Sequence, residues 1–575
     1  MSKPERTRVA RLGRPLFFVA LVAAVAVLVL QSRGPAAPEV VVLITVDTLR
    51  ADAVGEDTPA LLELASRGRT FSAARTTVPL TLPAHVTVFT GLLPPRHGIR
   101  DNASPPLPTG NDRPFPLLAE EFKNAGYQTA GFAASPVLDP RYGLDSGFSR
   151  YEPGPSPQRG RPSVGYHPAE KQVERVLAFL KRRPKGKPLF LWVHLFDPHA
   201  PYRPYDGDAK RAGTAQMDSD AERYAGEVRR ADAAVAKLIQ AFDQETTLFV
   251  VTSDHGESLG EHGESTHGHL CFGATMDVPL IVAGPGVASG TDTRPCSLAD
   301  LAPTLRELCG LDPRATDGAD LLAPSASDKG ETPRVICGES LYVYRLYHWA
   351  QQTVAFDGRY SLVDGGPTFS LFDRSKDPGE TTPLENRDTH AAFAGLDSAL
   401  QRYRASASSS GTGLLAGAPT IYGSGRIPLS DFEPPAINRK RRAAEDGFSV
   451  ISLIHRMRQA IAMRDPRLVE ALLPELKKVE DLDKQNPAPA FERGRALRLR
   501  GSFSEAADAL EISWNRGYVF EDALKLRLLT LVKAREPIRA RAALQKAKGR
   551  IPPASLAQME AEIRSGFAAA GIEFR

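Results

Sequence analysis

Cysteine is scarce: four residues in 575 (Cys271, Cys296, Cys309 and Cys337). That is too few for a disulfide-stapled scaffold, and no pair has the spacing of a zinc ribbon or a CxxC redox motif. An excess of one charge is also lacking. Lys plus Arg number 72 against 68 Asp plus Glu, a formal net charge of +4. This balance speaks against nucleic acid as a partner, because a polyanion reader carries a basic excess or stripe. Aromatic residues make up 7% and charged residues 24%, ordinary globular values that exclude a disordered or fibrous chain. At this length two or three domains are expected.

Long apolar runs are rare, and the one near the N-terminus is Pro15–Leu30, preceded by Arg6, Arg8, Arg11 and Arg14. Its last fifteen residues, LFFVALVAAVAVLVL, reach about 22 Å, short of a ~30 Å hydrocarbon layer. Residues 15–31 therefore read as a transmembrane anchor or a signal segment. An uncleaved anchor is preferred, because the small-residue site in QSRGPAAPEV would leave Pro38 next. The basic residues 1–14 then stay in the cytoplasm. The remainder is expected to be membrane-anchored and to face the periplasm or the extracellular side, or to be secreted if the segment is cleaved. The cysteines would there be free to pair.

Residues 448–575 carry periodic apolar positions and many Ala, Leu and Arg, the pattern of stacked helical hairpins. Within them Phe491–Gly517, FERGRALRLRGSFSEAADALEISWNRG, resembles a tetratricopeptide unit. Ala496, Gly501, Phe503, Ala506, Ala507 and Leu510 would interlock its two helices. Such a tail would offer a protein partner a surface; the plainer reading is a helical cap packed on the body. Residues 401–447, with a Ser/Gly-rich stretch at Ser406–Gly413 and a basic run at Asn438–Arg442, read as a linker.

Three nearly continuous apolar runs, Val40–Val46, Leu189–Leu195 and Leu248–Thr252, have the composition of parallel strands covered on both faces. Each runs into residues able to hold a metal or an anion: Asp47; Asp197 and His199; Asp254 and His255. In open α/β sheets ligands bind beyond the carboxyl ends of strands, so three such ends would bring these residues together. In TLPAHVTVFTG, Thr81 precedes a short helix with Pro83 in its first turn and Gly91 at its end. Thr81 is either an N-cap or a hydroxyl nucleophile in the positive potential of the helix N-terminus.

Together these segments resemble the sulfatase family of the alkaline phosphatase superfamily. VDTLRAD (Val46–Asp52), TLPAH, TGLLPPRHGIRDN (Thr90–Asn102), FDPHAPY (Phe196–Tyr202), SDHGESLGEHGE (Ser253–Glu264), VPLIVAGPG (Val278–Gly286) and SLFDRSKDPGE (Ser370–Glu380) occur in the family's order. The resemblance spans about Glu39 to Asn386. It implies an α/β fold for residues 38–400: an alkaline-phosphatase-like α/β/α sandwich with a central mostly parallel sheet and a small C-terminal α+β subdomain. An all-α helical-hairpin domain follows.

Carried over residue by residue, the resemblance makes Asp47, Thr81, Asp254 and His255 the ligands of one divalent metal ion (Zn, Mn, Mg or Ca), with room for a second. Thr81 is the nucleophile, Asn102 a donor to the ester's non-bridging oxygen, and His199 and His267 the groups that contact the ester or protonate the leaving alcohol. Asp197, His199 and His267 are the candidate set for a second ion. His262 and His269 are read as supporting residues, His97 as loop-fixing, and His167, His194 and His348 as packing.

The departures from the family pattern matter as much. Formylglycine sulfatases need Cys or Ser where this chain has Thr81, and threonine's β-methyl forbids that oxidation. His85 replaces the arginine of C/S-x-P-x-R, Thr48 replaces an aspartate, and His255 stands where calcium sites have asparagine, favouring Zn or Mn. The expectation is a metal-dependent hydrolase of sulfate or phosphate esters, phosphoester preferred. A membrane-anchored phosphoethanolamine-type transferase and a non-catalytic scaffold are the alternatives. The substrate is expected to be a small molecule or a glycan or lipid ester.

Overall fold

A computed structural model describes residues 37–574 except 103, 105, 109, 185 and 368 and the segments 156–165, 203–218, 325–333, 407–446 and 519–520. The expected basic segment, the anchor and most of the expected linker lie outside the described residues. Among the described residues, no helix is long and apolar enough to cross a membrane.

The strands in chain order are β1 (Val40–Val46), β2 (Arg69–Phe71), β3 (Ala74–Arg75), β4 (Gln128–Phe132), β5 (Arg150–Glu152), β6 (Leu189–Leu195) and β7 (Thr247–Ser253). β8 (Leu280–Ala283), β9 (Gly290–Asp292), β10 (Cys296–Ser297), β11 (Ile336–Ser340), β12 (Gln352–Phe356), β13 (Tyr360–Asp364) and β14 (Phe369–Asp373) follow. Eight of them form one sheet in the order β5-β4-β6-β1-β7-β8-β2-β9. β8 is antiparallel to both its neighbours, and the other pairings are parallel. The three apolar runs are its central strands. They lack alternation because both faces are covered.

On one face Val41, Leu43, Phe190, Trp192, Leu248 and Val250 pack against the helices Thr81–Thr90, Leu118–Asn124 and Leu301–Cys309. On the other Val42, Ile44, Leu191, Val193 and Phe249 pack against Pro59–Arg67, Ala169–Arg182 and Asp220–Gln240. The result is the expected three-layer sandwich.

β11 to β14 form a separate antiparallel sheet covered by the helix Ala391–Ala405, through Leu396, Ala399, Leu400 and Tyr403. That helix takes in residues 401–405, which the sequence reading assigned to the linker. All four cysteines are buried and free. They are core residues, and the expected chance of pairing is not realised.

From Phe448 the chain is all-helical, beginning Phe448–Met463, Pro466–Leu482, Ala488–Arg500 and Phe503–Asn515. In the last two, Ala496, Ala506, Ala507 and Leu510 are buried as expected. Gly501 instead ends its helix, exposed at φ 89°, and Phe503 is only half-buried. The close approach is made by Gly494, where a Cβ would lie 2.7 Å from Leu510 Cγ. The tail is not a free-standing array. Val450, Ile451, Ile454 and Met457 share one apolar cluster with Leu270, Phe272, Met276, Tyr347 and Trp349 of the body.

Trp192 joins sheet to helix: it is fully buried, meets Phe89 edge-on at 4.9 Å, and donates from Nε1 to Thr45 Oγ1 at 3.0 Å. Trp192→Ala is expected to destabilise the body by about 3–5 kcal/mol, from lost burial plus the cavity. Urea denaturation followed by far-UV circular dichroism checks this. A loss below about 1 kcal/mol would contradict its role as a core residue.

Candidate active site

Strand register explains why residues two hundred positions apart meet. Val46 of β1 is paired with Leu195 of β6 and with Ser253 of β7, so Asp47 and Asp254 leave the sheet at the same edge. Alternation settles the face. Val41–Leu43–Thr45 continues to Asp47 and Leu248–Val250–Thr252 to Asp254, on the side where the helix Thr81–Thr90 packs. Asp197 has the opposite parity. Its Oδ2 accepts from Ala169 N at 2.7 Å and its Oδ1 from Arg230 Nη1 at 3.4 Å, so it fastens two helices of the far layer. Among the described residues, no Asp197–His199–His267 metal set forms.

Ligand atoms of Asp47, Asp254 and His255 lie within 4.8 Å of one another, and all three residues are fully buried. His255 Nε2 is 3.7 Å from Asp47 Oδ1 and 3.7 Å from Asp254 Oδ2. Hydrogen bonding fixes what faces what. His255 Nδ1 donates to Gly256 O at 2.9 Å, so in the neutral ring Nε2 carries a lone pair. Asp254 Oδ1 accepts from Thr48 N at 3.2 Å and His255 N at 2.9 Å, which turns Oδ2 toward the cluster. Thr48 bends the chain away after Asp47 with a left-handed φ of 58°.

Two carboxylate oxygens and an imidazole lone pair thus converge with no proton donor between them, and Asp47 Oδ1 and Oδ2, Asp254 Oδ2 and His255 Nε2 make no hydrogen bond. Such a set is unfavourable alone and suits a divalent cation. The His255 N–H bonded to a carbonyl is the orientation a ligating imidazole needs. Burial raises the Asp47 carboxyl well above its usual range, helped by the charges of Asp254 and Glu257. Burial also raises Asp254 to about 6 and pushes His255 down to about 3.

A second trio, His85, His194 and Asp254, is equally close, but its tautomers are wrong for metal. His85 Nδ1 lies 2.7 Å from Thr81 O and must donate to it. Its Nε2, 2.9 Å from Thr45 Oγ1, then accepts from that hydroxyl, which in turn accepts from Trp192. His85 is a satisfied neutral ring that ties Thr81 to the sheet, with Nδ1 3.8 Å from Asp254 Oδ2. His194 Nδ1 accepts from Ala134 N at 3.3 Å, so its proton sits on Nε2, 3.4 Å from Asp47 Oδ2. His194 thus stands beside Asp47, a proximity that the sequence reading, which assigned it to packing, did not give. The signal was available: in LFLWVHL it has the same parity as Trp192, on the face that leads to Asp47.

Thr81 is buried and is the first residue of its helix, with Leu80 as the N-cap. The N-cap alternative is therefore set aside. Gly91 ends the helix as expected, with φ 73° and its N–H donating to Thr87 O at 2.8 Å. Asn102 Oδ1 accepts from Leu82 N at 2.9 Å, which leaves the amide Nδ2–H groups for an anion beside the helix N-terminus. The Asn102 loop is held down by a two-armed ion pair of Arg100 with Glu339 of β11.

His199 and His267 stand with His255. The His267 ring is 4.5 Å from that of His255 and 4.9 Å from that of His199. His199 Nδ1 donates to Ala200 O at 2.5 Å. His267 Nδ1 is 2.8 Å from Oε1 of Glu257, a buried carboxyl that the sequence reading did not single out and that burial raises to about 7. Its place in DHGE, two residues after His255, was the available signal. His262 bonds Gly379 O at 3.0 Å, His269 bonds Glu264 at 2.9 Å and His97 bonds Ile99 N at 3.1 Å, the supporting roles expected of them.

A doubly covered parallel sheet with an acid–imidazole cluster and a helix-borne hydroxyl at its carboxyl edge is the framework of an ester hydrolase. Residues 39–311 match the family model described as Sulfatase, and the chain is a sulfatase-like hydrolase. Among similar proteins, a Delta 4,5-hexuronate-2-O-sulfatase of Bacteroides thetaiotaomicron is 25% identical over 388 residues, 56% of this chain and 78% of the relative. The N-acetylgalactosamine-6-sulfatase of Homo sapiens is 26% identical over 465 residues, 65% of this chain and 87% of the relative. The solved structure of a 2-O GAG sulfatase superposes with a TM-score of 0.52 at 20% identity, over 65% of this chain and 93% of that one.

Cation binding at this cluster is expected to depend on pH. A carboxyl whose folded pKa is raised opposes folding increasingly as the pH rises from its ordinary pKa to the raised one, and a cation that binds the ionised form removes the penalty. With Asp254 at about 6, protons compete below that pH. Calorimetric titration with Mn²⁺ or Zn²⁺ should show affinity falling as the pH drops below about 6, by about tenfold per unit for each proton displaced. Asp254→Asn should abolish tight binding; pH-independent affinity would contradict this reading.

Proposed function

We propose that the protein is a metal-dependent sulfatase-family hydrolase of sulfate or phosphate esters in which Thr81 is the nucleophile, with phosphoesters preferred. The observation that carries the proposal is the donor-free convergence of Asp47, Asp254 and His255, tied through His85 to the first residue of the Thr81 helix. Asp47, Asp254, His255 and Thr81 would hold the cation. When bound, it supplies Lewis acidity that lowers the pKa of the Thr81 hydroxyl and offsets charge on the ester's non-bridging oxygens.

The residues of the chain do the rest. The helix N-terminus adds positive potential at Thr81, and Asn102 Nδ2–H donates to a non-bridging oxygen as charge gathers there. Thr81, having lost its hydroxyl proton to solvent, attacks in line through Oγ1, and the bond to the leaving oxygen breaks on the opposite side. Glu257 and His267 share one proton across 2.8 Å. With that proton on the Glu257 side, His267 presents Nε2–H to the leaving oxygen. As it gives up that proton it takes the one from Glu257 at Nδ1. His199 stands close enough for the same task. Water then attacks the phospho-Thr81 ester, its proton returning to the imidazole pair.

The relatives named above act on sulfate esters, which supports that substrate class in its broad form. Phosphorus is preferred because of the second step. A sulfo-threonine ester resists S–O cleavage, whereas a phospho-threonine is resolved by the same in-line chemistry that formed it. The purified protein loaded with Mn²⁺ or Zn²⁺ is tested on a nitrophenyl sulfate and bis-nitrophenyl phosphate side by side. The phosphodiester is expected to turn over faster, an acid quench to trap phosphate on Thr81, and Thr81→Ala to lose at least ~10³-fold in kcat while Thr81→Ser retains activity. Sulfate turnover without phosphodiester turnover would overturn the preference, and unimpaired Thr81→Ala would remove the nucleophile.

A further inference from the structure

His267 sits on the loop that runs from Gly260 to Leu270, and the helical tail grips this loop on both sides of it. Four residues before His267, Gly263 (φ 80°) lies so close to Phe448 that a Cβ there would be 3.2 Å from its Cδ2. Two residues after it, His269 meets the same Phe448 ring edge-on at 6.1 Å and His455 of the next turns at 6.4 Å. The His269 ring has little freedom of its own. Its N and Nδ1 both lie 2.9 Å from Oε1 of the buried Glu264. Leu270, Cys271 and Phe272, immediately downstream, enter the apolar cluster that the tail helix completes.

The tail is in turn fixed to the body at further points. Gly447 packs beneath Trp349, where a Cβ would be 2.1 Å from Cη2. Trp349 Nε1 donates to Asp483 Oδ2 at 2.9 Å, and Gly517 lies under His348, with a built Cβ 2.6 Å from its Cε1. The metal-ligand candidates Asp47, Asp254 and His255 directly follow β1 and β7, which pair with each other in the central sheet.

We propose that the helix Phe448–Met463 is a positioning element of the active site, and that Phe448, by clamping Gly263 and His269, sets where His267 stands relative to the leaving group. This rests on the reading of His267 as the leaving-group acid. The tail is thereby part of the catalytic unit, and not an appended module. A displaced acid matters in proportion to how poor the leaving group is, because a good leaving group departs without a proton. A misplacement on the order of 1 Å can cost as much as ~10²-fold.

The test uses the full chain with Phe448→Ala, Phe448→Leu, His267→Ala and, as a control, Leu528→Ala in the separate apolar cluster of the last helices. Rates are compared for a nitrophenyl and an alkyl ester of the same acid. Phe448→Ala is expected to lower kcat for the alkyl ester by about tenfold or more, with KM within about twofold and the nitrophenyl ester affected by less than about threefold. Phe448→Leu should recover most of that loss, and Leu528→Ala should leave the ratio of the two rates unchanged. Hydrogen exchange of the amides at 261–270 should speed up in Phe448→Ala and not in Leu528→Ala.

Equal loss on both esters, or unchanged loop exchange in a folded Phe448→Ala, would overturn the proposal. If Phe448→Ala does not fold, Phe448→Leu carries the same comparison at smaller amplitude. Should His267→Ala show no dependence on the leaving group, the acid assignment fails, whereas the loop-exchange result still decides the clamp.

Discussion

Three electron-rich atoms pointed at one another inside a protein are a liability, and the carboxyl edge of this sheet is organised around that fact. Asp47 Oδ1, Asp254 Oδ2 and His255 Nε2 have no donor among them. In a dry setting each charged neighbour raises the cost of ionising the next. The surrounding bonds do not relieve this conflict; they hold it in place. Gly256 O takes the only proton of the His255 ring, Thr48 N and His255 N turn one oxygen of Asp254 away and the other in, and His194 Nε2 approaches Asp47 from its outer side. Spending buried polar groups to aim lone pairs inward is sensible only where a cation resolves the repulsion.

The sheet can impose this arrangement because parallel strands in register end together. β1 lies between β6 and β7 with Val46, Leu195 and Ser253 side by side, and the strands are covered on both faces, so their ends cannot shift without disturbing two cores. The helix Thr81–Thr90 belongs to one of those cores along its whole length. Position at the site is therefore inherited from apolar packing, and a threonine at the start of a buried helix is held as firmly as a strand residue.

Much of this was legible in the sequence, for a stated reason. Continuous runs of Val, Leu and Phe are the mark of doubly covered strands, and strand ends carrying Asp and His are where α/β sheets bind ligands. β1 and β6 were read to the residue and β7 to within one residue at each end. Asp47, Asp254 and His255 come together as the motifs suggested. What stayed hidden is what depends on a second strand. Asp197 and His194 lie three residues apart, and only the pairing of β6 with β1 shows that His194 faces the helix Thr81–Thr90 and Asp197 the far layer. Glu257 acquires meaning from a loop that folds His267 back ten residues later. The contribution of the tail was illegible for the same reason: Gly263, His269 and Phe448 are joined by three-dimensional packing and by nothing in their local patterns.

The departures from the formylglycine pattern then read as one concerted change. With Thr48 in place of an acid, its side chain adds no third carboxylate to the cluster, and its backbone N–H instead stabilises the outer oxygen of Asp254. With His255 in place of an amide, a neutral nitrogen donor joins two carboxylates, a set better matched to Zn or Mn than to calcium. With His85 in place of arginine, the residue four positions after Thr81 carries no permanent positive charge. A neutral ring bridges the Thr81 carbonyl and the Thr45 hydroxyl, its burial holding it below its usual pKa. The exchanges at Thr48 and His85 remove a fixed charge, and the one at His255 substitutes an imidazole lone pair for an amide. Under the proposed function, a site altered in this way would place the demand for charge neutralisation on the cation and on the hydroxyl of Thr81, a demand that a threonine, unable to become an aldehyde, would meet by direct attack.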